Sequence, residues 1–87
     1  MPPKVNIGID GLQRSEALDN QISQNIAEVF STPTGNEVLR YLRSITIEMV
    51  NGPAVSSNEL MHMEGQRYLV GLIERRIAHG RRSKNNG

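Results

Sequence analysis

Acid–base or metal chemistry in this chain would have to use His62 and His79, its only two imidazoles. They stand 17 residues apart, whereas a chelating pair on one helix face needs the i, i+4 spacing. Glu64 lies close to His62, but two ligands do not hold a zinc ion. With no cysteine there is no thiolate, either as nucleophile or as ligand. Glu48, Glu59 and Glu64 supply carboxylates for an acid–base pair, yet nothing fixes their separation, and carboxylates on helices are ordinarily solvated. "GPAVSSNE" lacks the lysine and the glycine spacing of a phosphate-binding loop, and "EGQR" is no nucleotide fingerprint. A nucleophile, a base and an orienting group do not come together anywhere. The expectation is a non-enzymatic protein with no cofactor and no metal.

The basic residues form a more substantial group. Residues 1–39 carry two basic against five acidic side chains, a balance of −3, and residues 40–87 carry eight against four, a balance of +4. Arg75, Arg76, Arg81, Arg82 and Lys84 fall within "ERRIAHGRRSKNNG" and are candidate nucleic-acid contacts. Such a cluster neutralises phosphates without reading sequence, which gives weak, salt-sensitive binding. Sequence-specific recognition is less well served. A recognition helix reads bases near its N-terminal part, and there the last helix offers "LMHMEGQRY", with Glu64 beside Gln66 and Arg67. A solvated basic tail has the same composition.

The elements that carry these residues follow from length and periodicity. Eighty-seven residues make one small domain with a thin core, and apolar residues are only 37% of the chain. Phe30, Tyr41 and Tyr68 are the only aromatics. Without disulfides or thiolate zinc, partners or self-association must supply the missing stability. No apolar run reaches the roughly 18 to 20 residues that span a bilayer. The start "MPPKVNIGIDG" has no apolar segment of a secretory signal, and the lack of cysteine suits a reducing compartment. No membrane contact is expected.

The pattern predicts an all-α fold of three helices, at about 16–30, 33–49 and 57–79. A flexible arm over 1–14 precedes a helical domain over 15–80, and a basic disordered tail over 81–87 follows it. In the arm, Val5, Ile7 and Ile9 alternate as a strand would, but no partner strand is evident within the chain. Ser15 caps the first helix, whose apolar positions are Leu18, Ile22, Ile26, Val29 and Phe30. "STPTGNE" is a tight corner. Either Thr32 caps the second helix with Pro33 at its first position, or Thr34 caps it with Glu37 three residues on. Val38, Leu39, Leu42, Ile45 and Met49 then share one face, and Asn51-Gly52-Pro53 stops the run. Ser56 with Glu59 opens the third helix, and Gly80 is placed to end it, with His79 beside the negative end of the dipole. Gly65 and Gly71 within it each cost about 1 kcal/mol relative to alanine, so they mark either close packing or a kink.

Two stretches, "FSTPTGNEVLRYL" and "EGQRYLVGLIERRI", lie in an order and at a distance that resembles a family of small tailed-bacteriophage proteins. Its pattern is an aromatic, then Thr-Pro-x-Gly-x-x-Val-Leu, a variable loop, and Glu-Gly-x-Arg opening an apolar helix. The resemblance covers about residues 26–79, and its marks here are Phe30, Thr32, Pro33, Gly35, Val38, Leu39, Glu64, Gly65 and Arg67. The loop "VNGPAVSS" is shorter and poorer in aromatics than is usual for the family. The resemblance implies a component of the head and portal gene module of podophage-type genomes. It implies, further, a virion structural or assembly protein that contacts portal or capsid subunits, or its own copies. Such a protein would reside in the virion, and in the host cytoplasm during assembly. A small nucleic-acid-binding accessory or regulatory protein is the alternative. Arg67 is placed to tie the second motif to the "STPTG" corner.

Overall fold

Three side-chain caps set where the helices begin. In the computed structural model, which describes residues 6–50, 52 and 55–86 with side chains as far as Ser83, the elements are α1 (Glu16–Phe30), α2 (Pro33–Ser44) and α3 (Ser57–Asn86). Ser15 accepts the Leu18 amide at 3.1 Å, Thr32 accepts the Gly35 amide at 2.9 Å, and Ser56 accepts the Glu59 amide at 3.2 Å. Each hydroxyl satisfies an amide that the first turn leaves unpaired. The all-α, three-helix architecture is the expected one.

α1 ends at Phe30 as expected, but the ends of α2 and α3 differ from expectation. α2 stops at Ser44 rather than Met49. The Ser44 and Thr46 hydroxyls donate back to the carbonyls of Tyr41 and Leu42, both at 2.6 Å, and residues 45–48 turn. Such local bonds compete with the helical ladder. α3 in turn does not stop at Gly80 but continues to Asn86, so residues 81–86 are helix and not a disordered tail. Gly80 has no left-handed φ to end the helix with; its backbone lies against Ser23 of α1. Its missing side chain serves a helix crossing. Gly65 and Gly71 have nothing within 4 Å of where a Cβ would stand, so close packing within the chain is not their role.

The expected free arm is also corrected where it is described; residues 1–5, including Val5, lie outside the described residues. Ile7 and Gln13 form an antiparallel bridge, Gly8 donates to the Leu12 carbonyl at 2.8 Å, and Arg14 donates to that of Asn6 at 3.1 Å. The segment finds its strand partner in itself, as a closed loop over residues 6–14.

Contacts between elements give the directions. Asp19 meets Arg76, Ser23 meets Gly80, and Gln24 meets Ser83, so α1 and α3 run parallel. Arg43 meets Glu74, and Thr46 meets Arg67, so α2 returns antiparallel to both. The packing seam is thin: Ala27, Val70 and Ile77 are the buried apolar residues among those described. A fully buried side chain such as Val or Ile contributes about 1.5–3 kcal/mol, so the seam alone is a slender support. The Cα radius of gyration is 16.0 Å, against about 12 Å for a compact domain of this length.

Candidate functional site

The first motif builds one joint. Thr32 both accepts the Gly35 amide and donates to the Val29 carbonyl at 2.9 Å, and Pro33 occupies the first position of α2. Thr34 is not the cap. Gly35 is buried against the Val29 carbonyl, and a Cβ there would also stand 2.9 Å from the Phe30 Cα. Only a residue without a side chain lets the start of α2 lie this close to the end of α1. Phe30 and Leu39 are half-buried on either side of the joint, and Val38 is exposed.

The second motif acts at the other end of α2. Arg67 pairs with Glu64 at 2.9 Å, as neighbours one turn apart do. The same guanidinium donates to the carbonyls of Thr46 at 3.1 Å and Met49 at 2.9 Å. Arg67 therefore does not reach the "STPTG" corner; it closes the turn that ends α2, where free carbonyls need donors. Gly65 is exposed beside it. Arg43 adds a third tie, to Glu74 at 2.6 Å and to Glu48 at 3.3 Å. Glu74, and Glu48 after it, hold the Arg43 guanidinium in its charged form more firmly than usual.

α2 is thus held at its start by Thr32 and Gly35 and at its end by Arg67 and Arg43. What it presents outward is a stripe of Val38, Tyr41 and Ile45, with Tyr41 61% exposed. The apolar face expected for this helix is split. Leu39 and Leu42 are half-buried, while Val38, Ile45 and Met49 face solvent. The bare apolar stripe thus lies on a helix held at both ends.

The basic candidates do not stay together. Arg76 is 3% exposed and stands at the centre of a buried polar cluster. Its Nη1 donates to the Asp19 carbonyl at 3.0 Å and to Ser23 Oγ at 2.9 Å, while Nη2 pairs with Asp10 at 3.2 Å. Nη1 also approaches Asp19 Oδ1 at 2.7 Å, an ion pair not aligned as a hydrogen bond. Arg76 is therefore withdrawn from the nucleic-acid candidates, because phosphate would have to displace two carboxylates. Arg75, Arg81 and Arg82 are exposed; the side chain of Lys84 lies outside the described residues. His79 is not at a helix end: its Nδ1 meets Ser23 Oγ at 2.7 Å. His62 is exposed, and among the described residues no three His, Asp or Glu side chains are placed to hold a metal ion. The cluster of Asp10, Asp19, Ser23, Arg76 and His79 is the feature that the sequence reading missed. Its signal was a charged residue in phase with Ile73, Ile77 and Gly80, inside the apolar stripe.

Asp10 fastens the N-terminal loop to this cluster. Hydrogen bonds from Arg14 and from the Leu12 amide, with the charges of Arg14 and Arg76, lower its carboxyl to about 2. An unfolded aspartate titrates near 3.9. Because the folded value is the lower one, the contribution is complete above about pH 4 and is lost as pH falls through about 2. Acidification over that window should release residues 6–14, read as faster hydrogen exchange at the Gly8 and Arg14 amides, with Asp10→Asn released already at pH 6.

The family model of Bbp19-like phage proteins matches residues 26–83, a span holding the α1–α2 joint, all of α2, the Arg67 tie and most of α3. No curated protein and no solved structure matches the chain.

Proposed function

Because the chain belongs to the Bbp19-like phage protein family, we propose that it is a non-enzymatic structural or assembly protein of the phage head and portal, acting through protein–protein contact. The observation that carries this reading is α2, gripped at both ends with Val38, Tyr41 and Ile45 left bare. An amphipathic helix displayed in this way fits an apolar groove on a larger subunit. That subunit is a portal or capsid protein. The protein then occurs in the virion, and in the host cytoplasm while particles are built. A thin core is consistent with a chain completed by its partner.

Quantitative mass spectrometry of gradient-purified particles tests the proposal. About a dozen copies per particle place the protein on a symmetric ring such as the portal, and on the order of hundreds place it on the shell. Absence from finished particles and from assembly intermediates alike refutes it. Tyr41→Glu should retain helix content yet reduce incorporation by roughly 30-fold, as loss of an aromatic anchor does.

Arg75, Arg81 and Arg82, exposed towards the end of α3, favour a second reading as a nonspecific nucleic-acid accessory. Binding to short duplex DNA at two salt concentrations distinguishes it. A steep salt slope that flattens in Arg81→Ala/Arg82→Ala supports it, and an unchanged slope removes it.

A further inference from the structure

α3 has a second bare face, independent of the α2 stripe. At 3.6 residues per turn, Met61, Glu64, Tyr68, Gly71, Arg75 and Ala78 fall within about 100° of arc. Met61 is 72% and Tyr68 60% exposed, and the Glu64 side chain is 62% exposed. Arg75 and Ala78 are exposed as well, on the side away from buried Val70 and Ile77.

We propose that this face pairs with the same face of a second copy, the two α3 helices lying antiparallel about a two-fold axis between Leu69 and Val70. That axis sets Glu64 opposite Arg75 twice, Tyr68 opposite Gly71 twice, and Met61 opposite Ala78 twice. One patch thereby complements itself, as an isologous interface requires. Each large side chain meets a small one. Gly71 has nothing within 4 Å of its absent Cβ and costs the lone helix about 1 kcal/mol; in the pair, that space receives the Tyr68 ring. Arg75 has no ion pair among the described residues, and Glu64 exposes most of its carboxylate beyond Arg67. The parallel arrangement would set Glu64 against Glu64 and Arg75 against Arg75, and like charges across an interface exclude it.

The surface available matches what a dimer needs. The chain exposes 6561 Å², about 1,400 Å² more than a compact protein of its mass. A standard interface takes about 800 Å² from each partner.

Sedimentation equilibrium of the full chain tests the pairing. The wild type should dimerise, and Glu64→Arg and Arg75→Glu should each weaken association at least about 10-fold by creating like-charge contacts. An equimolar mixture of the two variants should recover wild-type association, because the mixed pair regains both Glu–Arg contacts. Gly71→Leu should also weaken association while its helix content, read by circular dichroism, is kept or raised; misfolding cannot produce that combination. A monomeric wild type overturns the proposal, as does a dimer indifferent to both charge reversals or a mixture that stays apart.

Discussion

Replacing Arg76 by methionine should cost about 3–5 kcal/mol, the penalty for leaving a buried charge cluster without its cation. Asp10 and Asp19 would face each other across the space that the guanidinium occupied, and Ser23 and the Asp19 carbonyl would lose their donor. A domain of this size has a total stability of roughly 4–13 kcal/mol, so the variant keeps little of it. Urea denaturation followed by circular dichroism reads the loss. Arg76→Lys should not restore the wild-type value, since an ammonium cannot serve Asp10, Ser23 and two groups of Asp19 from one planar fork. Adding Asp19→Asn to Arg76→Met should recover part of the loss. If the single variant costs less than about 1 kcal/mol, the cluster is not the joint between α1 and α3.

Gly80→Ala is the second large effect, and its sign opposes helix propensity. In an isolated helix the change would gain about 1 kcal/mol. Here the new Cβ would meet the Ser23 carbonyl, its carbon at 2.6 Å, and the Ala27 Cβ at 2.9 Å. Backbone cannot yield as a flexible side chain can, so the helices must separate, and the Arg76 bonds to Ser23 and Asp19 lengthen with them. The net loss should be about 2–4 kcal/mol. Gly65→Ala on the same helix is the control: its Cβ meets nothing, so it should gain up to about 1 kcal/mol. Thermal melts of the two variants should move in opposite directions.

These residues also show which parts of the fold were legible in the sequence. Helix starts were, because Ser15, Thr32 and Ser56 act on amides three residues away. The ends of α2 and α3 were not, because the local bonds of Ser44 and Thr46 act together with contacts from distant residues. α2 is closed by Arg67, which lies 21 residues beyond Thr46. α3 passes Gly80, whose backbone lies against Ser23 of α1 and does not take the left-handed φ that ends a helix. The corner motif could be read as a joint, since cap, proline and glycine are adjacent. In the Arg76 cluster only the phase of Arg76 within the apolar stripe was local; its partners Asp10, Asp19 and Ser23 depend on the register between α1 and α3, which no local pattern specifies. Arg76 thus read as one more member of a basic run, and the loop over residues 6–14 read as free because the anchor of Asp10, Arg76, is 66 residues away.

The parallel pairing of α1 with α3 carries a consequence for biosynthesis. The buried face of α1, Asp19, Ser23 and Ala27, packs on residues 76–83, and Asp19 precedes its partner Arg76 by 57 residues. Until residues 76–83 have been made, the buried face of α1 and Asp10 of the loop before it lack the partners that hold them in the folded protein. Long-range contacts of this kind cannot form until both ends exist. The face of α1 therefore stays open until residues 76–83 have been made, which makes that stage of synthesis the one most exposed to proteases and to premature capture by a partner.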